Sequence, residues 1–465
     1  MSIVTHEDIE SGVHKRKGTV WTATIHIITA VIGSGVLSLS WSIAQLGWIA
    51  GPIVPAIFAI ITYYTSSLLA NCYRSQDPIT GTRNRCYIDA VKTYLGPKHV
   101  YLCACAQFFN LWGAMVGYTI TTAISMNAVS KAHCYHYHGH ETRCDGPGPI
   151  LMLCFGFGQL ILSQLPSLQH MAWVSIVAAV MSGTYSSIAF GLAVAELVST
   201  RQVKGGLLGV VAHAHLRPVD RAFKSLQALG NVAFAYTFAE ILIEVQDTLK
   251  SPPAENTTMK KAIFWGLSVI TVFYLVIGCS GYAAFGGVTP GNILTGFGFY
   301  EPFWLVDIGN ICIALHLSGA YQLFAQPLFG NLEMRITARW PEAKIVTRVY
   351  SITLLCIRRD PINFSLLRLV LRSSIVIITT IVGMALPFFN SIVGMLGALS
   401  FWPLTVYFPI KMHIARRDIK KGTTKWILLH ILIGVTLLIC CAVSVGAGAE
   451  MVGHLKESSP FTKIG

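Results

Sequence analysis

Apolar segments long enough to cross a bilayer follow one another along almost the whole chain, separated by short polar stretches. About 20 residues at helical rise cross the hydrocarbon layer of a membrane. Eleven spans of this kind occur, at residues 20–44, 48–72, 99–129, 149–165, 170–198, 226–246, 262–284, 302–332, 370–389, 391–410 and 426–448. The pattern predicts an all-α polytopic membrane protein with eleven transmembrane helices.

The first span is interrupted at its centre by Gly33, Ser34 and Gly35, where an ordinary membrane anchor would carry Leu or Ala. An opened helical turn leaves unpaired N–H and C=O groups. A bilayer tolerates them only where that backbone lines a protein cavity or binds something. Close helix packing through small residues is the alternative explanation, and this stretch alone leaves both open.

The sixth span, within residues 226–247, is also interrupted by small and polar residues, with an opened turn expected at residues 233–237. Spans one and six are then the first members of two blocks of five. Because five is odd, the second block enters from the opposite side, which makes an inverted repeat. Broken helices at matching positions of such a repeat indicate a transporter binding site at the midplane.

The predicted organisation follows from this repeat. It comprises a cytoplasmic tail at 1–17, five-helix repeats at 18–198 and 226–410, an extracellular connection at 199–225, a cytoplasmic loop with the eleventh helix at 411–448, and an extracellular tail at 449–465.

Composition and charge agree with a membrane protein. Hydrophobic residues make up 53% of the chain and charged residues 12%. The net charge of +13 does not indicate a nucleic-acid partner, because the basic residues lie in short loops. Of the 34 Lys and Arg residues, 25 fall in the tail and loops on one side and 9 on the other. This bias places the N-terminus in the cytoplasm and the C-terminus outside; no cleaved signal peptide is expected.

The outer loop after span three contains Cys134 and Cys144, ten residues apart on the oxidising side. We expect a disulfide between them. The same loop carries His133, His136, His138 and His140, which by ligand type could bind Zn²⁺ or Cu²⁺. A polar exposed loop is the simpler interpretation, and no metal site is predicted.

Several motifs resemble those of plant amino acid permeases in the amino acid/auxin permease family. They include Ala44-Gln-Leu-Gly-Trp-Ile-Ala-Gly-Pro52, Leu242-Ile-Glu-Val-Gln-Asp-Thr-Leu-Lys-Ser-Pro-Pro253 and Gly397-Ala-Leu-Ser-Phe-Trp-Pro-Leu-Thr-Val-Tyr-Phe-Pro409. The resemblance covers nearly the whole chain. It implies a proton-coupled importer of amino acids in the plasma membrane, with the five-plus-five fold of the amino acid–polyamine–organocation superfamily.

Substrate recognition can be argued from the broken helices. Half-helix N-termini present N–H groups to a carboxylate, while unwound carbonyls face an ammonium. No Lys or Arg lies deep in a predicted span, so backbone groups must recognise the charges, which favours neutral amino acids. Tyr118 in span three is a candidate cover for the carboxylate, with packing as the alternative. The candidate substrate-binding residues are Ile32, Gly33, Ser34, Gly35, Tyr118, Ala233, Phe234, Tyr236 and Thr237.

Proton coupling needs an ionisable group within the membrane, where such groups are costly and tend to be functional. His26 and His316 are candidates because the ordinary histidine pKa near 6.5 suits a gradient from an acidic exterior. A neutral histidine bonded to a helix carbonyl is the alternative for each. Glu240 and Glu244, one turn apart, could share a proton, although Glu244 could equally be an interface charge.

Other function classes have less support. No nucleophile, acid/base pair or metal set is clustered at one depth, so no enzyme and no cofactor are predicted beyond the proton as driving ion. The amino acid, the proton and the lipid bilayer are the expected partners, and the sequence leaves the oligomeric state open. The alternatives on the same fold are a transporter of auxin or another organic acid and an uncoupled amino acid facilitator or sensor.

Overall fold

The computed structural model describes residues 16, 18–33, 35–75, 77, 80–139, 144, 146–164, 172–209, 217–297, 302–352 and 362–457. Within these residues, nine helices are long and apolar enough to cross a membrane. Two shorter apolar helices, Val20–Val31 and Gly148–Ser163, accompany them. The chain is therefore a helical, multi-pass membrane protein, as the succession of apolar segments predicts.

The first helix, α1 (Val20–Val31), begins at a capping box. Thr19 and Thr22 each accept a hydrogen bond from the other's backbone N–H on the side-chain oxygen. The helix ends where Ile32 leaves the helical conformation, with φ −76° and ψ 84°. The next helix, α2, begins at Gly35. The interruption of span one thus covers residues 32–34, of which Ser34 lies outside the described residues.

Helix α2 (Gly35–Ala70) bends sharply at Gly47, where φ is 80°. This left-handed value favours glycine, and a Cβ there would lie 2.1 Å from the backbone nitrogen of Gly209. The bend leaves the N–H groups of Trp48 and Ile49 free to bond to the carbonyls of Gly206 and Leu207, each over 3.2 Å. The bend separates the second half of span one from span two.

Most of the remaining chain is helical. The first half continues with α3 (Tyr87–Leu95), α4 (Pro97–His138), α5 (Gly148–Ser163) and α6 (Ala172–Thr200). The second half contains α7 (Pro218–Ala235), α8 (Ala239–Asp247), α9 (Glu255–Phe285), α10 (Phe303–Arg339), α11 (Lys344–Thr347), α12 (Leu366–Ala385), α13 (Phe389–Ser400), α14 (Phe408–Arg417) and α15 (Thr424–Glu457). A π-helical segment, Phe401–Tyr407, joins α13 to α14, and two 3₁₀ turns, Gly286–Val288 and Ile293–Phe297, follow α9.

One small antiparallel sheet lies in the segment before α12. It pairs β1 (Val349–Ile352) with β2 (Ile362–Ser365), in a register that sets Val349 opposite Ser365. Residues 353–361 between the strands lie outside the described residues.

The break in span six lies at residues 236–238, between α7 and α8. The predicted turn at 233–237 is therefore too early, because α7 continues to Ala235. Its last turn closes when the N–H groups of Tyr236 and Thr237 bond to the carbonyls of Ala233 and Phe234, over 3.2 and 3.0 Å. The Thr237 hydroxyl adds a 2.8 Å bond to the Ala233 carbonyl.

The two halves of the chain interleave rather than form separate bodies. Helix α9 packs along α2, α10 packs between α4 and α6, and α7 packs against α13. At the α7–α13 contact, a Cβ on Gly397 would lie 1.9 Å from the Gly230 carbonyl oxygen. The two backbones can approach this closely only because small residues occupy the interface.

Arg372 is the third residue of the ninth predicted span. It belongs to α12, which begins four residues earlier than predicted, and it is buried. Its Nε bonds to Glu333 over 2.7 Å, and its Nη1 bonds to the Ser163 carbonyl over 2.7 Å. A buried arginine is tolerated here because its charge is paired and its donors are satisfied.

Candidate functional site

The two helix breaks lie side by side in the middle of the protein. A Cβ on Gly35, at the start of α2, would lie 3.2 Å from Ala235 at the end of α7. The hydroxyl of Tyr274 on α9 lies 2.7 Å from the Val31 carbonyl and 3.3 Å from the Ala235 carbonyl. The Val31 carbonyl also accepts from the Gly33 N–H over 2.9 Å, so Tyr274 connects the two breaks and adds a partner for carbonyls at the end of each interrupted helix.

A closed cavity of about 20 Å³ lies between the breaks, which is room for about one water molecule. An amino acid cannot enter without movement of the walls, to which three aromatic side chains contribute. The lining residues are Ala30, Val31, Gly33, Gly35, Asn110, Tyr118, Phe234, Ala235, Thr237 and Phe324.

His316 on α10 reaches the first break. Its Nδ1 lies 2.8 Å from the Ala178 carbonyl oxygen, which can only accept, so Nδ1 carries the proton of the neutral ring. Its Nε2 is buried and has no hydrogen-bond partner within the described part of the chain, and it lies 3.6 Å from the position that a Cβ on Gly33 would occupy. Tyr185 packs against the ring and donates to the Gly33 carbonyl over 3.0 Å.

Tyr118 on α4 also lies beside the backbone at Gly33. Its hydroxyl lies 3.9 Å from the Cβ position of Gly33, and its ring packs edge-on against Phe324, with centroids 5.5 Å apart. Tyr118 and His316 therefore flank the unwound backbone at Gly33.

Glu240 lies in the first turn of α8 and is buried. Asn110, which lines the cavity, donates from Nδ2 to Oε1 of Glu240 over 2.8 Å. The other carboxyl oxygen, Oε2, is buried and accepts no hydrogen bond from any described residue. Glu240 is therefore linked to the cavity through one amide, and the N-terminus of α8 favours negative charge at this position.

The structure divides the predicted substrate-binding residues into two groups. Gly33, Gly35, Tyr118, Phe234 and Thr237 line the cavity, whereas Ile32, Ala233 and Tyr236 are buried around it. Ser34 lies outside the described residues. Tyr236 is directed toward α9, where its hydroxyl donates to Thr271 over 3.2 Å.

His26 and Glu244 lie away from the cavity. His26 is exposed on the face of α1 that also exposes Trp21 and Ile25. Glu244 is exposed, and its Oε1 accepts a 3.4 Å bond from the Tyr87 backbone N–H. Glu240 and Glu244 thus have different partners, and of the four candidate coupling residues only His316 and Glu240 reach the site.

Several residues of the site were not among the predicted ones. They are the small or aliphatic lining residues Ala30, Val31 and Ala235, and four residues with polar or aromatic side chains, Asn110, Tyr185, Tyr274 and Phe324. Asn110 is a polar residue in an otherwise apolar segment, a signal that the sequence does contain. The three aromatic residues carry no such signal, because aromatic side chains are common throughout the spans.

Comparison with known proteins identifies the family. Residues 16–452 match the family described as transmembrane amino acid transporter protein. The chain is 50% identical to amino acid permease 8 of Arabidopsis thaliana over 455 residues, which cover 98% of this chain and 95% of that protein. It is 50% identical to amino acid permease 1 of the same plant over 452 residues, covering 97% and 93%. The chain belongs to the transmembrane amino acid transporter family.

The fold of this transporter resembles that of a distant protein of known structure. A crystal structure of MhsT in complex with L-phenylalanine matches with a TM-score of 0.54 at 10% identity, covering 91% of this chain and 98% of that one. Membership of a family of transporters means that the predicted class, a transporter and not an enzyme, is confirmed.

At one end of the transporter, α4 and α10 are connected by polar and aromatic contacts. Cys134 and Cys144 form a disulfide with an S–S distance of 1.99 Å. His133 Nε2 lies 2.8 Å from Asp307 Oδ2, and the ring of His136 stacks on Phe303. Among the described residues, no three potential metal ligands gather; His140 lies outside them.

At the opposite end, the carboxylate of Glu255 forms salt bridges with Arg16 and Arg74. The fully buried carboxylate accepts from Arg16 over 2.9 Å and from Arg74 over 2.6 and 3.1 Å. The hydrogen bonds that Arg74 donates to Glu255 raise the pKa of its guanidinium. The Gly18 N–H donates to the Thr248 carbonyl, and the Gly18 carbonyl accepts from the Lys250 N–H. These backbone bonds connect the start of α1 to the segment between α8 and α9.

Proposed function

We propose that this protein imports amino acids, mainly neutral ones, by proton symport across the plasma membrane. The observation on which the proposal rests is the position of His316. Its buried Nε2 has no hydrogen-bond partner among the described residues, and it lies next to the unwound backbone at Gly33. A group that can bind a proton therefore lies where two broken helices meet. Family membership supports the transport of amino acids.

The cavity suits a zwitterion with an uncharged side chain. The N-termini of α2 and α8 bring positive dipole ends and free N–H groups near it, and these favour a carboxylate. No Asp, Glu, Lys, Arg or His is among the lining residues. A charged substrate side chain would then be desolvated without a partner, which costs several kcal/mol, as an order of magnitude. Neutral amino acids avoid this cost.

Coupling follows from the hydrogen bonds of His316. Because Nδ1 is committed to Ala178, an arriving proton binds at Nε2 and turns it from an acceptor into a charged donor. The imidazolium then attracts the carboxylate of the substrate beside Gly33. Proton and amino acid thus favour each other's binding, and by linkage the effect is reciprocal. Glu240, linked to the cavity through Asn110, is the second candidate proton carrier.

The proposed topology has eleven crossings in a five-plus-five inverted repeat. The first crossing consists of α1 and the part of α2 before Gly47, and the sixth consists of α7 and α8. The excess of basic residues on one side supports a cytoplasmic N-terminus and an extracellular C-terminus. The closed cavity requires alternating access, and displacement of Phe234 or Phe324 would enlarge it.

The test compares two histidine variants by current and by radiolabelled uptake of a neutral amino acid. His316→Asn keeps an N–H donor for Ala178 and removes the group at Nε2. We expect wild-type current to appear with amino acid at external pH 5.5 and to shrink at pH 7.5, since a higher pH leaves fewer protonated imidazoles. His316→Asn should abolish the current and leave uptake independent of pH. His26→Asn, at the exposed histidine, should behave like wild type.

Two results would contradict the proposal. Normal pH-dependent current in His316→Asn would exclude His316 as the proton carrier and direct attention to Glu240→Gln. Amino acid uptake without current in the wild-type protein would show a facilitator or exchanger instead of a symporter.

A further inference from the structure

An apolar groove on the membrane-facing surface ends beside a concentration of positive charge. The groove measures about 510 Å³ and is lined by Tyr64 at the end of α2 and by Thr424, Lys425, Leu428, Leu429 and Leu432 at the start of α15. This volume is in the range of small-molecule sites. Its leucines are spaced along one face of α15, and Lys425 and Thr424 stand at its polar end.

Basic side chains from three helices gather next to this polar end. Lys260 of α9, Arg416 and Arg417 of α14, and Lys425 of α15 all lie within electrostatic range of His413. Lys260 also lies in range of both arginines. Within the described part of the chain, none of these four cations takes part in a salt bridge. Asp418 is the only acidic residue between His413 and Lys425 in the sequence.

Buried polar atoms in the same place lack partners. His413 is 5% exposed, and neither ring nitrogen has a hydrogen-bond partner among the residues that the structure describes. The Nε of Arg416 is likewise buried and has no partner among them. Gathered like charges repel one another unless an anion compensates them. The N-terminus of α15, capped by Thr423, adds its positive dipole end. By contrast, Arg16 and Arg74 at the same end of the molecule share the Glu255 carboxylate.

We propose that this groove binds an anionic glycerophospholipid, with the phosphate group held by Lys425, Arg417 and their neighbours and an acyl chain lying along the leucines of α15. Charge complementarity selects an anionic headgroup, and the apolar groove beside it selects a lipid over a soluble anion. The site is distinct from the cavity between the helix breaks. Its occupancy is therefore independent of which substrate or ion the transporter uses.

The test titrates the purified full-length protein in non-ionic detergent with phosphatidylserine or phosphatidylcholine and counts bound lipids by native mass spectrometry. We expect phosphatidylserine to bind at least tenfold more tightly than phosphatidylcholine. Lys425→Gln with Arg417→Gln should weaken phosphatidylserine about 25-fold, from about fivefold for each basic residue at a membrane surface. Both side chains are exposed, so the double variant is expected to fold.

Two controls separate the site from general effects. Arg335→Gln with Arg339→Gln removes the same charge from exposed positions on α10 and should leave phosphatidylserine affinity within twofold. Soluble glycerophosphoserine should bind far more weakly than phosphatidylserine. Leu432→Trp, which fills the groove, should lower the affinity for phosphatidylserine. Three results would each overturn the proposal. They are equal affinity for phosphatidylserine and phosphatidylcholine, equal effects of the two double variants, and binding of glycerophosphoserine as tight as that of the lipid.

Discussion

Replacing Gly33 by alanine separates the function of the helix break from its structure. The added methyl would lie 3.6 Å from Nε2 of His316 and 3.9 Å from the Tyr118 hydroxyl, both ordinary van der Waals distances. The backbone at Gly33 does not have a positive φ. We therefore expect Gly33→Ala to fold and reach the membrane normally.

The functional effect should nevertheless be large. A hydrogen-bonding partner must come within about 2.7–3.2 Å of Nε2, and the methyl would occupy that approach in a cavity of only about 20 Å³. Losing one hydrogen bond to a charged group costs about 1.5–3 kcal/mol. This corresponds to an increase of about 10- to 150-fold in the amino acid concentration needed for half-maximal transport.

The assay is uptake of a radiolabelled neutral amino acid at pH 5.5 over a wide concentration range, with the Tm of the purified protein measured alongside. Gly183→Ala on α6, where a methyl meets nothing within 4 Å, is the matched control and should leave uptake and Tm unchanged. A half-saturation concentration within twofold of wild type in Gly33→Ala would refute the reasoning, because the methyl would then block nothing that transport uses.

Two stability predictions concern other parts of the fold. Glu255→Gln leaves Arg16 and Arg74 without the buried carboxylate that they share, so it should destabilise the protein by about 3 kcal/mol and clearly lower its Tm. The control is Asp220→Asn, in the exposed pair with Arg217, which should leave Tm unchanged. Gly397→Ala places a methyl group against the Gly230 backbone and should also destabilise the protein by about 3 kcal/mol through overpacking, so surface expression should fall. Surface expression should be normal for the control Gly434→Ala, where the methyl meets no atom within 4 Å.

The sequence predicted the interruption of span one closely and that of span six less well. Around Gly33 the glycines and serine stand in an apolar context, so the break and its residues coincide. In span six, Gly230 and Asn231 precede the break by more than a helical turn, because Gly230 lies inside α7 and serves the contact with α13. Composition alone does not distinguish a glycine that opens a helix from one that lets another helix approach.

The ionisable residues show the same limit. His26 and His316 both lie in apolar helices, yet only His316 faces the break, whereas His26 is exposed. Which face of a helix is buried depends on the neighbouring helices, and in a membrane span the lipid-facing side is as apolar as the core. The hydrophobic period that orients a helix in a soluble protein is therefore weak here, and the position of His316 requires the packing of α10 against α6.

Two basic residues with similar positions in the sequence have very different contacts in the structure. Arg372 lies in the second turn of α12 and Lys425 in the first turn of α15, so both stand near the start of an apolar helix. Arg372 is neutralised by Glu333, 39 residues away, whereas Lys425 belongs to a group of cations with no salt bridge within the described residues. The first arrangement ties α12 to α10. The second leaves positive charge at the polar end of an apolar groove, and counting basic residues per loop would assign both the single role of fixing topology.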